Sequence, residues 1–150
     1  FELREQKPHE NLIHQLLLSW DTTLLAQRDP RFFNDLRRIR TQKTLMVEQL
    51  AQYAAYGLAM VVISCLLKRR VQKINVYQAP DLLLDTSTST AIRGVEVAGR
   101  SENGYSAIAQ VLDGSNGKRA RLLTRIHLVE AYLSLWCTQP MVSHWEQVKP

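Results

Sequence analysis

Residues 50–67 are apolar almost without interruption, relieved only by Gln52, Gly57, Ser64 and the tyrosines, and the run closes on Lys68-Arg69-Arg70. A stretch of that length reaches the roughly 18 apolar residues of a membrane span, and the basic cluster would suit a cytoplasmic flank. Against that, Gln49, Gln52, Tyr53 and Tyr56 dilute its first turns, and the flanking segments are amphipathic. The favoured reading is therefore a helix over 44–70, buried all round in a soluble core. Anchoring in a membrane through 50–67 is the weaker alternative.

On either side of this run the hydrophobic period differs. Upstream, Leu12, Ile13, Leu16, Leu17, Trp20, Leu24 and Leu25 recur at helical spacing, which predicts an amphipathic helix over 9–27, ended by Asp29-Pro30. From Arg31 a shorter helix is expected, with Phe32, Phe33, Leu36 and Ile39 on one side and Arg31, Arg37, Arg38, Arg40 and Lys43 making a basic face. Downstream of Arg70 the pattern alternates and β-branched residues enter. A strand is expected over 71–78, then a hairpin of 81–86 and 91–100 across the polar turn 87–90. A helix over 105–112, a turn at 113–117, a strand over 119–126 and a final helix over 127–137 follow, before a polar tail carrying Trp145. The expected fold class is α/β, with N-terminal helices followed by a small mixed sheet flanked by helices. A single domain over 1–150 is expected, with a helical extension 1–43, a core 44–137 and a tail 138–150.

Charge narrows the choice of partner. Nineteen Lys and Arg against 14 Asp and Glu leave a net charge of +5, which favours phosphate backbones or anionic lipid. Basic clusters stand at 31–43, 68–73 and 118–125. Cys65 and Cys137 have no metal-ligand spacing and are expected as buried thiols in a reducing, intracellular compartment. The start Phe1-Glu2-Leu3-Arg4 carries neither a signal peptide nor a methionine and reads as the start of a trimmed chain or of a fragment. No Gly-rich phosphate loop, Ser/His/Asp arrangement or zinc motif is present, and His9, His14, His127 and His144 lack the spacing of a metal site.

One arrangement of acids can carry chemistry. Pro80-Asp81 is followed, fourteen residues later, by Glu96-Val97-Ala98, on two strands expected to be neighbours. Alternation along a strand sends Glu96, Ala98 and Arg100 to one face and Val95 and Val97 to the core. Asp85 shares the strand parity of Asp81 and rivals it. In this order of elements and in these acids the chain resembles the PD-(D/E)xK nuclease superfamily, the restriction-endonuclease-like fold, over about residues 44–137. The resemblance implies a metal-dependent DNA endonuclease in which Asp81 and Glu96 hold Mg²⁺ or Mn²⁺, with Glu48 on the preceding helix as an outer ligand. It also implies a lysine two residues after the second acid, and Ala98 stands at that position. Hydrolysis is then expected to be poor, whether an original lysine was replaced or catalysis was naturally lost. His14 is a further metal-ligand candidate by resemblance to viral members.

Arg37, Arg38, Arg100, Lys118, Arg119 and Arg121 are the expected phosphate contacts, which position a substrate without reading its sequence. DNA is the favoured partner, within a homodimer or a larger complex. A non-catalytic module binding nucleic acid or protein is the alternative from a different class.

Overall fold

The computed structural model describes residues 2–7, 10–15, 46–75, 78–114 and 117–150, together with Thr23, Gln27, Arg31, Asn34 and Arg38. The described elements are β1 (Glu2–Lys7), β2 (Glu10–Gln15), α1 (Val47–Val62) with a π-helical extension Ile63–Leu67, β3 (Val71–Ile74), β4 (Leu82–Leu84), β5 (Ile92–Arg100), α2 (Gly104–Asp113), α3 (Lys118–Leu123), β6 (Leu128–Thr138) and β7 (Met141–Lys149). The strands form one seven-stranded mixed sheet in the order β2-β1-β7-β6-β5-β4-β3. The fold is thus α/β.

Helix α1 packs on one face of this sheet because its inner stripe is small. Ala51, Ala55, Ala59 and Val62 recur at helical spacing and are at most 4% exposed. Small side chains let the helix backbone approach β5, and the closest approach is at Gly99, where a Cβ would stand 2.1 Å from the Ala51 carbonyl oxygen. The outer stripe is open: Leu50, Tyr53 and Met46 are exposed, and so is Cys65. The helix is therefore not buried all round, and only Cys137 is a buried thiol. Val47–Leu67 is long and apolar enough to cross a membrane by length and composition, yet here its alanine stripe lies against a sheet.

The expected hairpin forms. Leu82 pairs with Val95 and Leu83 with Gly94, antiparallel, and β3 adds on the far side of β4. The helix expected over 105–112 is present as α2, and the strand expected over 71–78 is present in its first half as β3, Val71–Ile74, residues 76 and 77 lying outside the described residues.

Four other segments depart from expectation, each for a physical reason. Residues 10–15, expected within a helix, are strand β2, paired with β1 across a two-residue connection; Leu12 and Ile13 fit a hairpin as well as a helical stripe. Residues 127–137, expected as a helix, are the central strand β6, parallel to β5 and antiparallel to β7. A strand buried on both faces reads as a continuous apolar run, which periodicity cannot tell from a buried helix. Leu133, Leu135 and Cys137 face one core cluster, and Tyr132 and Trp136 the other. The expected polar tail is strand β7, whose Trp145 is 1% exposed and stacks on Tyr132 with centroids 5.4 Å apart. Where a strand over 119–126 was expected, Lys118–Leu123 is the short helix α3 and a turn follows it. Lys, Arg, Ala and Leu are strong helix formers and no β-branched residue interrupts them before Thr124.

Candidate functional site

Strand β4 ends before β5 does, and the site lies where the pairing runs out. Beyond Val95, β5 would present unpaired N–H groups to this side. Two side chains take them instead: Val97 N donates to Asp81 Oδ2 at 2.8 Å, and Gly99 N donates to Gln52 Oε1 at 2.9 Å. Asp81, the residue before β4, thereby has its carboxylate fixed against β5 next to Glu96. The two acids singled out by the sequence are brought together.

Glu96 is buried and Asp81 partly so. The Glu96 side chain is 5% exposed and that of Asp81 17%. Lys118, at the start of α3, reaches both: its ammonium donates to Glu96 Oε1 and stands 3.8 Å from Asp81 Oδ2. Arg121, one turn on, brings a guanidinium nitrogen to 4.0 Å from Glu96 Oε1 while its own side chain stays 56% exposed. The other carboxylate oxygen, Glu96 Oε2, is buried and has no hydrogen-bond partner among the described residues. From α1, Tyr56 faces the same centre. Burial first, then the charge and hydrogen bond of Asp81, push its phenol up to about 12, against a hydrogen bond from Gln52. The phenol is therefore neutral at physiological pH.

The remaining candidates are distributed as follows. Ala98 shares a face with Glu96 but lies in the core cluster with Ile108, Leu112 and Leu122, 4% exposed. Its surroundings are apolar, unlike the polar surface the strand parity suggested. Asp85 is exposed, accepts from Arg70 N at 3.4 Å and is no part of the centre. Glu48 is exposed in the first turn of α1. It lines, with Gln52, Gly99 and Arg100, a groove of about 330 Å³ beside the site. Arg100 is exposed and donates to its neighbour's carbonyl, Gly99 O, at 3.1 Å. Among the described residues no group of three or more His, Cys, Asp or Glu comes together.

Of the basic residues, Arg38 is helical and exposed, and Arg37 lies outside the described residues. Arg119 is engaged within the chain. It forms a paired contact with Glu146, at 3.0 and 2.7 Å, and an ion pair with Asp113. His144 Nε2 meets the same Glu146 at 3.0 Å; His14 lies on β2, four strands away from β5 in the sheet, and His9 lies outside the described residues. Burial would raise the Glu146 carboxyl, but the hydrogen bonds of His144 and Arg119 outweigh it and hold it below the ordinary carboxylate range. A depressed carboxyl contributes stability that is present above its unfolded value, about pH 4.5, and is lost as pH falls through the lower folded value. Replacing Glu146 by Gln is expected to flatten the acid limb of the stability curve below pH 4.5, as measured by thermal melts between pH 2 and 7.

The sequence did not single out Lys118 as a member of the acidic pair's own cluster, nor Tyr56 and Gln52 at all. The signal for the last two was Gln52 and Tyr56 one helical turn apart inside an otherwise apolar helix. Comparison with protein-family models, with curated proteins and with solved structures finds no match to this chain.

Proposed function

We propose that the chain hydrolyses phosphodiester bonds of nucleic acid, DNA in the first place, with a divalent cation held by Asp81 and Glu96. The observation that carries this reading is the single centre of Asp81, Glu96 and Lys118, in which one buried oxygen, Glu96 Oε2, lacks a partner among the described residues. A buried acceptor of that kind ordinarily has a partner, whether protein, water or ion, and a cation between the two acids would supply one. Two carboxylates, rather than a full cage of protein ligands, suit Mg²⁺, which retains waters and takes substrate phosphate oxygens as further ligands. When bound, such an ion supplies charge neutralisation at the phosphate and a more acidic water.

The chain's own groups do the rest. Asp81 is oriented by Val97 N and Tyr56, and Glu96 by Lys118. Lys118 carries the amine that the sequence lacks at Ala98: from α3 it holds an ammonium at the carboxylate pair, placed to orient a water and to meet charge on the phosphate. Arg121 and Arg100 contribute exposed positive charge beside it. The order of α1, β3, β4, β5, α2 and β6 supports the restriction-endonuclease-like reading, since a helix precedes the strands bearing the acids and a helix and a strand follow. The free thiols of Cys65 and Cys137 support an intracellular setting.

Calorimetric titration with Mn²⁺ tests the site. The chain is expected to bind the ion, and Glu96→Gln to bind it at least tenfold more weakly without loss of fold. Equal binding by both proteins would remove Glu96 from the ligand set.

A further inference from the structure

The last residue of α3 and the turn that follows it place apolar side chains in water. Ile126 is 89% exposed and Leu123 51%. Turn positions ordinarily take Gly, Asn, Asp, Ser or Pro, whose backbone or side-chain chemistry suits them; a β-branched apolar residue at the tip has no such local reason. Nor is the tip loosely held. Leu128 N donates to Arg125 O at 3.3 Å, closing the turn. The Lys149 ammonium donates to Arg125 O at 2.7 Å and to Leu128 O at 3.0 Å, clipping both its ends to β7.

The same turn is tied to the acids. Arg125 donates to Ala79 O at 2.6 Å, two residues before Asp81, and Arg121, two residues before Leu123, stands 4.0 Å from Glu96 Oε1. Arg125 and Arg121, both exposed, stand one and five residues before Ile126 in the chain. An apolar point with two arginines close to it in the chain matches the layered chemistry of a duplex, phosphate outside and stacked bases within. Apolar side chains of this type, Ile and Leu among them, enter base steps and unstack them in other nucleic-acid-binding proteins.

We infer that Ile126, supported by Leu123, is a wedge that enters a base step of duplex DNA while Arg121 and Arg125 hold the flanking phosphates. This rests on the nucleic-acid reading above and adds a substrate class to it: a duplex distorted next to the bond that is cut. Because Ile126 faces water, its replacement should leave the fold intact.

The experiment is a titration, without divalent cation, of a short DNA duplex carrying 2-aminopurine, whose emission rises when it is unstacked. The unaltered chain is expected to bind with a rise in emission. Ile126→Ser is expected to bind about tenfold more weakly, with no rise, while melting temperature and Mn²⁺ binding stay unchanged. Equal affinity and an equal rise for Ile126→Ser would overturn the wedge and leave the hydrolytic reading standing. Failure of the unaltered chain to bind the duplex would overturn the wedge together with the DNA reading. A third arm uses phosphatidylserine vesicles: if Ile126→Ser loses vesicle binding while its duplex binding is unchanged, the tip is a lipid contact and the wedge is overturned.

Discussion

Lys118→Met is expected to cost both stability and activity, and a divalent cation is expected to restore only the first. Without its ammonium, Glu96 keeps a 5% exposed carboxylate, and the positive group left beside it among the described residues is Arg121, at 4.0 Å. Breaking one partner of a buried pair costs about 3–5 kcal/mol, read as a fall in the urea midpoint at pH 7. Mn²⁺ at a hundredfold excess over its dissociation constant should return about 2.7 kcal/mol, because it binds the folded chain alone. Hydrolysis should stay depressed by a factor of about 10²–10³, the range for loss of a group that stabilises charge developing in the transition state. Lys118→Arg keeps the charge and separates the two effects: stability near that of the unaltered chain, with activity still low. An unchanged urea midpoint for Lys118→Met would show that the pair contributes nothing to the fold.

How far these groups were legible in the sequence depended on the kind of signal each carried. Asp81 and Glu96 were found because acids on neighbouring strands leave a pattern of spacing and parity, and the short polar turn between them fixed the hairpin. Helix α2 was equally plain, with an amphipathic stripe and a strong turn after it. Lys118 carried no such mark in sequence. It lies 22 residues beyond Glu96, between the turn expected at 113–117 and the strand expected over 119–126, and neither gave a reason to set it beside the acids. Only the helical twist of α3 brings Lys118 and Arg121 onto one side. Strand β6 was hidden for the opposite reason: with both faces buried, its apolar residues lose the alternation that marks a strand. Ala98 misled because parity tells which residues share a face but not what covers it. The same face of β5 passes from the polar centre at Glu96 to a dry contact with Ile108 and Leu112 within two residues.

Ala98→Lys follows from that difference in cover. If Ala98 were a vacant catalytic position, restoring lysine should raise hydrolysis. The structure instead places it at 4% exposure among Ile108, Leu112, Leu122 and Leu128. A lysine there must either bury its amine in apolar surroundings, which costs several kcal/mol, or push α2 off the sheet. Overpacking alone costs about 1–3 kcal/mol. The variant is therefore expected to melt well below the unaltered chain and to cut no faster, measured by thermal denaturation and by plasmid nicking. A stable Ala98→Lys variant with raised activity would return the catalytic amine to β5 and reduce Lys118 to a structural partner of Glu96.

The measurement that bears most directly on the centre is cleavage of supercoiled plasmid by the purified chain with Mg²⁺ or Mn²⁺, run beside Asp81→Asn and Glu96→Gln. Nicking that requires the divalent ion and is abolished in both variants is the expected result. A folded chain that binds Mn²⁺ yet leaves DNA and RNA intact under either ion would contradict it, and Asp81, Glu96 and Lys118 would then be a buried ion-pair cluster that fastens α3 to the sheet.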